Sequence, residues 1–209
     1  MEIRLDGISK RFTREWIFQN ITQQFSQASS YAITGPNGSG KSTLLMITAG
    51  WILPTDGKVE YTVGGKPADP STYYRYIDFV APYLELIEDF TLTEFVKFHF
   101  RFNRLDGSMS HEDFIRSIFM EKERDKYIRN FSSGMKQRLK LATGFFSENP
   151  VLFLDEPTSN LDSKMRKWYF EQFDRVKTSK LIILASNDSS EFEKCDILIK
   201  IEDFKVTYN

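Results

Sequence analysis

The chain has 209 residues, with 28 Lys and Arg set against 29 Asp and Glu, a formal net charge of -1 and a pI near 6.2. That length suits one large domain or a core with one subdomain, and the balanced charge gives no electrostatic case for binding nucleic acid. A single cysteine, Cys195, excludes an internal disulfide and fits a reducing compartment, and no run of ~18 apolar residues is present to span a bilayer.

The chain opens without a secretory signal on short β-like runs, residues 2–5 and then 16–25, the second rich in β-branched and aromatic side chains. Residues 31–34 form a short strand leading into a glycine-rich turn, and residues 42–49 read as a helix. The stretch "PTDGKVEYTVGGK" reads as turn, strand and turn, and residues 76–81 as a strand stopped by Pro82. From Tyr83 the pattern becomes helical. Thr91 and Glu94 fit a capping box, opening a helix with Leu92, Phe95, Val96, His99 and Phe102 on one stripe. Phe98 and Phe100 fall off that face and are candidates for a protein contact. Ser110 and Asp113 resemble a second helix start, with Phe114, Ile115, Ile118 and Phe119 facing inward. Strands return at residues 151–154, 181–185 and 197–201. The expected class is α/β: a core of residues 1–81 and 148–209, with a parallel sheet and antiparallel N-terminal strands, interrupted by a helical subdomain at 82–147.

"GPNGSGKST", residues 35–43, matches the P-loop pattern in full and lies between a strand and a helix. Gly35, Asn37, Gly38, Ser39, Gly40 and Thr43 supply a loop whose backbone N–H groups can curl around a polyphosphate. Lys41 is placed to reach the β- and γ-phosphates, and the Ser42 hydroxyl to ligate Mg²⁺. Further on, "VLFLDEPTSNLDS" delivers Asp155 and Glu156 to the carboxyl end of a strand. Adjacent side chains there diverge, so the two carboxylates take different tasks. Asp155 is expected to hold the metal shell, and Glu156 to orient or deprotonate water. A third apolar strand, "LIILA", ends in Ser186, Asn187 and Asp188, which places Asn187 at the ligand end of an open sheet.

With "FSSGMKQR" at 131–138 and "SNLD" ending at Asp162, the whole chain resembles the ATP-binding cassette (ABC) ATPases, the nucleotide-binding subunits of ABC transporters. "FSSGMKQR" is similar to the LSGGQxQR signature, "SNLD" to the D-loop, and "LASND" to the segment carrying a switch histidine. The resemblance implies a fold of P-loop NTPase type with an inserted helical subdomain, and cofactors ATP and Mg²⁺. It also implies a head-to-tail dimer in which Ser132 and Gly134 of one chain reach the nucleotide on the other, with Asp162 linking the two sites. Phe12 matches the aromatic residue that stacks on adenine, with Trp16 in reserve and simple packing as the other reading of Phe12.

Three departures stand out. Pro82 falls where the family has its Q-loop glutamine, Ser133 and Met135 alter the signature, and Asn187 replaces the histidine. The expected function is ATP hydrolysis on the cytoplasmic face of a membrane, driving a separate transmembrane permease subunit that docks around residues 81–87. The cassette pairs as a homodimer or with another cassette. A slow or regulatory module beside a more complete cassette, or a soluble assembly ATPase, are the alternatives.

Overall fold

A computed structural model describes residues 1–69, 71–107 and 109–205. Its contacts divide the chain into two units. One comprises residues 1–79, 150–156 and those from Lys177 on; the other comprises 80–149 and 157–176.

In the first unit, β1 (Glu2–Phe12) and β2 (Glu15–Phe25) form an antiparallel hairpin, extended by β4 (Asp56–Val63) and the short β5 (Lys66–Pro67) into a sheet of order β2-β1-β4-β5. The first strand runs well past the expected residues 2–5, while the second matches the expected 16–25 to within one residue. Alternation puts Ile3 and Leu5, and Ile21 and Phe25, in the core, and register shifts between Leu5 and Ile8 and between Ile8 and Lys10 let Ile8 and Phe18 join them. The second sheet has order β6-β7-β8-β3-β9, built from β3 (Ser30–Thr34), β6 (Ile77–Val80), β7 (Val151–Asp155), β8 (Leu181–Ala185) and β9 (Ile197–Lys200). The strands β7, β8 and β3 pair in parallel, and all but the last residue of β3 are buried along them. Such uninterrupted apolar runs are what a parallel sheet covered on both faces requires. Asp155 and Ile33 both pair with Ala185, so three neighbouring strands end at one level. Helix α1 (Lys41–Thr48) follows β3 and buries Leu44, Leu45 and Ile47.

The second unit is mainly helical: α2 (Leu92–His99), α3 (His111–Ser117), α4 (Ser133–Phe145) and α5 (Ser163–Val176). Thr91 and Glu94, and Ser110 and Asp113, form reciprocal capping boxes, satisfying first-turn donors at both helix starts. Two expectations need correction. Phe102 is 76% exposed because α2 ends at His99, so the helical period no longer carries position 102 onto the Leu92 stripe. Phe119 is 54% exposed because α3 ends at Ser117 and Phe119 takes a left-handed φ of 55°, turning away from Phe114, Ile115 and Ile118. Phe100 packs edge-on against Phe114, at 5.1 Å between centroids, so it serves the interior.

Helix α5 is an element that turn signals alone did not bring out. Asp162 caps it, its carboxylate accepting from the Met165 N–H at 2.8 Å, and Met165, Trp168, Tyr169, Phe173 and Val176 are buried at helical spacing. Phe145 of α4 meets Trp168 edge-on and Tyr169 at a tilt. Residues 157–176 therefore group with the insertion rather than with the flanking core segments. Among the described residues no helix is long and apolar enough to cross a membrane. A short helix, α6 (Ser189–Phe192), follows β8 in the first unit.

Candidate phosphate-binding and catalytic site

The loop from β3 into α1 is shaped by glycines at positions where a side chain would be strained and crowded. Gly35 and Gly40 have φ of 149° and 104°, where side chains are strained. A Cβ on Gly40 would stand 2.4 Å from Ile17 Cγ2, and one on Gly35 would stand 2.7 Å from Ile201 Cγ2. The loop therefore lies against the sheet with its backbone turned to a cleft of about 240 Å³. Asn37, Gly38 and Gly40 line that cleft with Lys41, Ser42 and Thr43, and Ile17 and Glu156 complete it.

Two features of the loop fit a polyphosphate. The Ser39 hydroxyl is buried without a hydrogen-bond partner among the described residues, a costly state unless a ligand satisfies it. Lys41 is buried to 5% exposure, and its ammonium donates to the carbonyls of Gly35 at 2.9 Å and Pro36 at 3.0 Å. Neutral carbonyls position the charge without cancelling it, and the third ammonium donor stays available for a phosphate oxygen.

Ser42 Oγ donates to Asp155 Oδ1 at 3.0 Å, and Asp155 is only 1% exposed at the end of β7. A hydroxyl and a carboxylate together are the hard oxygen donors that a magnesium ion takes. Glu156, the next residue, has a left-handed φ of 41°, and its N–H donates to the Ala185 carbonyl at 2.9 Å. That bond to β8 holds an unfavourable backbone angle in place and separates Glu156 from Asp155. Asp155 thus faces Ser42, while Glu156 stands at the cleft wall.

Asn187 lies two residues beyond β8, with its amide donating to the Asn37 side-chain oxygen at 2.7 Å. It does not cap the following turn: Asp188 does that, its carboxylate accepting from the Ser190 N–H at 2.9 Å. Phe12 sits at the last position of β1, half-exposed, with the Lys10 ammonium 4.9 Å from its ring centre. Phe12 and Trp16 are absent from the cleft lining, which takes Ile17 instead. Sequence reading passed over Ile17; strand alternation across the hairpin was the signal that could have found it.

In the helical unit, Ser132 is the N-cap of α4, its Oγ accepting from the Met135 N–H at 3.2 Å. The Ser132 O–H remains free to donate outward. Gly134 lies so close to the 157–162 loop that a Cβ there would meet the Asn160 carbonyl at 3.0 Å. Gln137, also passed over, is buried at 1% exposure and donates to the Pro157 carbonyl at 2.8 Å. Asp162 is occupied as the α5 cap. Pro82 offers no polar side chain, and its carbonyl accepts from Lys140.

The profile of a family described as "ABC transporter" matches residues 18–159. A probable sulfate/thiosulfate import ATP-binding protein from Chlorella vulgaris is 29% identical over 99% of this chain and 89% of its own length. An energy-coupling factor transporter ATP-binding protein from Thermotoga maritima is 29% identical over 100% of this chain and 81% of its own. Among solved structures, an ATP-binding cassette captured as a dimer after hydrolysis with ADP and Pi superimposes with a TM-score of 0.82 at 22% identity, covering 99% of this chain and 97% of that one. A putative ABC transporter ATP-binding protein from Pyrococcus furiosus gives 0.81 at 17% identity, over 99% and 100%.

Proposed function

The chain belongs to the ABC transporter family, and from that premise we propose that it binds and hydrolyses ATP to power transport by a separate transmembrane subunit. The observation that carries this reading is the convergence of Lys41, Ser42, Asp155 and Glu156 on the carboxyl ends of two strands of one parallel sheet, around a loop with an unsatisfied buried hydroxyl. The loop N–H groups and Lys41 hold the β- and γ-phosphates. Ser42 and Asp155 would hold a Mg²⁺ ion, which would supply neutralisation of charge on the phosphate oxygens. Glu156 takes a proton from the attacking water as its oxygen bonds to the γ-phosphorus and the bond to ADP breaks. Asn187 donates to the γ-phosphate.

Two chains pair head to tail, with Ser132 and Gly134 of one donating to the nucleotide on the other, and the pair sits on the cytoplasmic face of a membrane against its permease. Single-turnover ATP hydrolysis by the purified chain, beside Glu156→Gln, tests the reading. Release of phosphate at the same rate from both proteins overturns it. A slow or regulatory cassette is the second reading. Pro82 and Asn187 favour it, since one lacks a side-chain ligand and the other cannot carry charge.

A further inference from the structure

Lys140 lies on α4 and is 8% exposed, yet its ammonium has no carboxylate beside it among the described residues. It donates instead to three carbonyls of one turn: Ala81 at 2.9 Å, Pro82 at 2.7 Å and Leu84 at 3.1 Å. An ammonium has three donors, and here each has its own acceptor. Burial and the neighbouring Lys136 both work against its charge, so the three carbonyls are what make a lysine tolerable at this place.

One turn earlier on the same face, Lys136 pairs with the Glu88 carboxylate. Just before α4, the Ile128 and Arg129 N–H groups donate to the carbonyls of Phe90 and Glu88. Residues 81–90 are thus stitched along α4 by two lysines, from the turn at Pro82 to the entry of α2.

We propose that Lys140, with Lys136 as its second point, is a positioning residue that locks the 81–90 segment to α4, so that the turn at Pro82 and the α4 start at Ser132 move as one body. This rests on the ATPase reading above, in which Ser132 meets the nucleotide of the paired chain and the 81–87 turn meets the permease. Pro82 cannot send a side chain to the nucleotide. The link from turn to nucleotide therefore runs through its carbonyl, Lys140 and α4.

Amide hydrogen exchange on the full chain tests this, with Lys140→Met keeping the length and apolar stem while removing the ammonium. Without nucleotide, exchange over residues 83–90 is expected to quicken at least tenfold in Lys140→Met, stay near wild type in Lys140→Arg, and be unchanged in β3, β7 and β8. In Glu156→Gln, which keeps ATP bound, Mg-ATP is expected to slow exchange over 83–90. Adding Lys140→Met should abolish that response while the Kd for Mg-ATP stays within twofold. Equal protection of 83–90 with and without the ammonium, or an unchanged response to Mg-ATP in the double variant, overturns the proposal. If Lys140→Met does not fold, Lys136→Met carries the nucleotide-free comparison, with faster exchange around Glu88 expected and no change counting against the lock. Failure of Glu156→Gln to bind Mg-ATP sinks the ATPase reading instead, and the nucleotide-free comparison still decides the lock.

Discussion

The Asn187 amide donates to the Asn37 side-chain oxygen at 2.7 Å, joining the segment after β8 directly to the phosphate loop after β3. Because Asp188 already caps the turn, the Asn187 amide is left to serve the loop. An amide there donates but stays neutral, where a histidine could add charge. Asn187→Ala is expected to lower kcat at saturating Mg-ATP by roughly five- to thirty-fold, the loss of about 1–2 kcal/mol of transition-state stabilisation. Asn187→His should raise turnover and introduce a limb near neutral pH that the wild type lacks. An unchanged kcat in Asn187→Ala would leave the residue as a loop tether only.

Lys41→Ala removes the charge that Gly35 and Pro36 hold in place. A charge-assisted contact contributes about 1.5–3 kcal/mol, so affinity for Mg-ATP should fall roughly ten- to a hundred-fold. Calorimetric titration of wild type and variant measures this directly, with thermal unfolding as a control. Equal affinity would place the polyphosphate elsewhere.

Much of the site was legible because its residues are local in sequence. The P-loop is one uninterrupted stretch, and Asp155, Glu156 and Asn187 lie at or within two residues of the end of an apolar strand whose length and composition announce burial. What was not legible depends on contacts between distant segments. Ile17 reaches the cleft only because the hairpin folds over the loop at Gly40. The partners of Lys140 exist only once residues 81–84 bring three carbonyls to it. Phe102 and Phe119 misled for a related reason: periodicity identifies a helix face but not where the helix stops.

His99 gives a pH signature unrelated to catalysis. Burial against the rings of Phe95 and Phe100 lowers its pKa to about 4, and the Asn103 amide stands 3.3 Å from Nε2. The folded state holds this ring neutral while the unfolded chain protonates it near pH 6.5. Its contribution is therefore full above about pH 6.5 and is lost as pH falls towards about 4, since the unfolded state then binds the extra proton. Urea unfolding of wild type and His99→Phe across pH 4–7 should show a shallower decline in the variant. Parallel declines would mean that His99 is protonated without cost.

The turn at Pro82 leads to Tyr83 and Ile87, exposed at 52% and 41%. Photo-crosslinking from Tyr83 in native membranes is expected to capture a membrane protein with transmembrane segments. Products containing only this chain would move the docking face elsewhere.

Glu156→Gln separates binding from chemistry. The Glu156 backbone sits at a φ of 41° and is tied to β8 by the Ala185 carbonyl, interactions that a glutamine of the same size keeps. Its Tm should therefore match wild type, whereas glutamine cannot accept the proton that the attacking water gives up. General-base catalysis contributes about 10²–10⁴-fold, so kcat should fall by at least a hundredfold while Mg-ATP still binds. With hydrolysis stopped, the proposed closed pair is expected to persist, with the free O–H of Ser132 at the start of α4 donating to the partner's nucleotide. Light scattering at saturating Mg-ATP is expected to show a dimer of Glu156→Gln, and Ser132→Ala in the same background should shift it towards monomer. A chain that stays monomeric with ATP bound would refute the head-to-tail arrangement while leaving the phosphate site intact. Undiminished turnover in Glu156→Gln would move the general base to another residue.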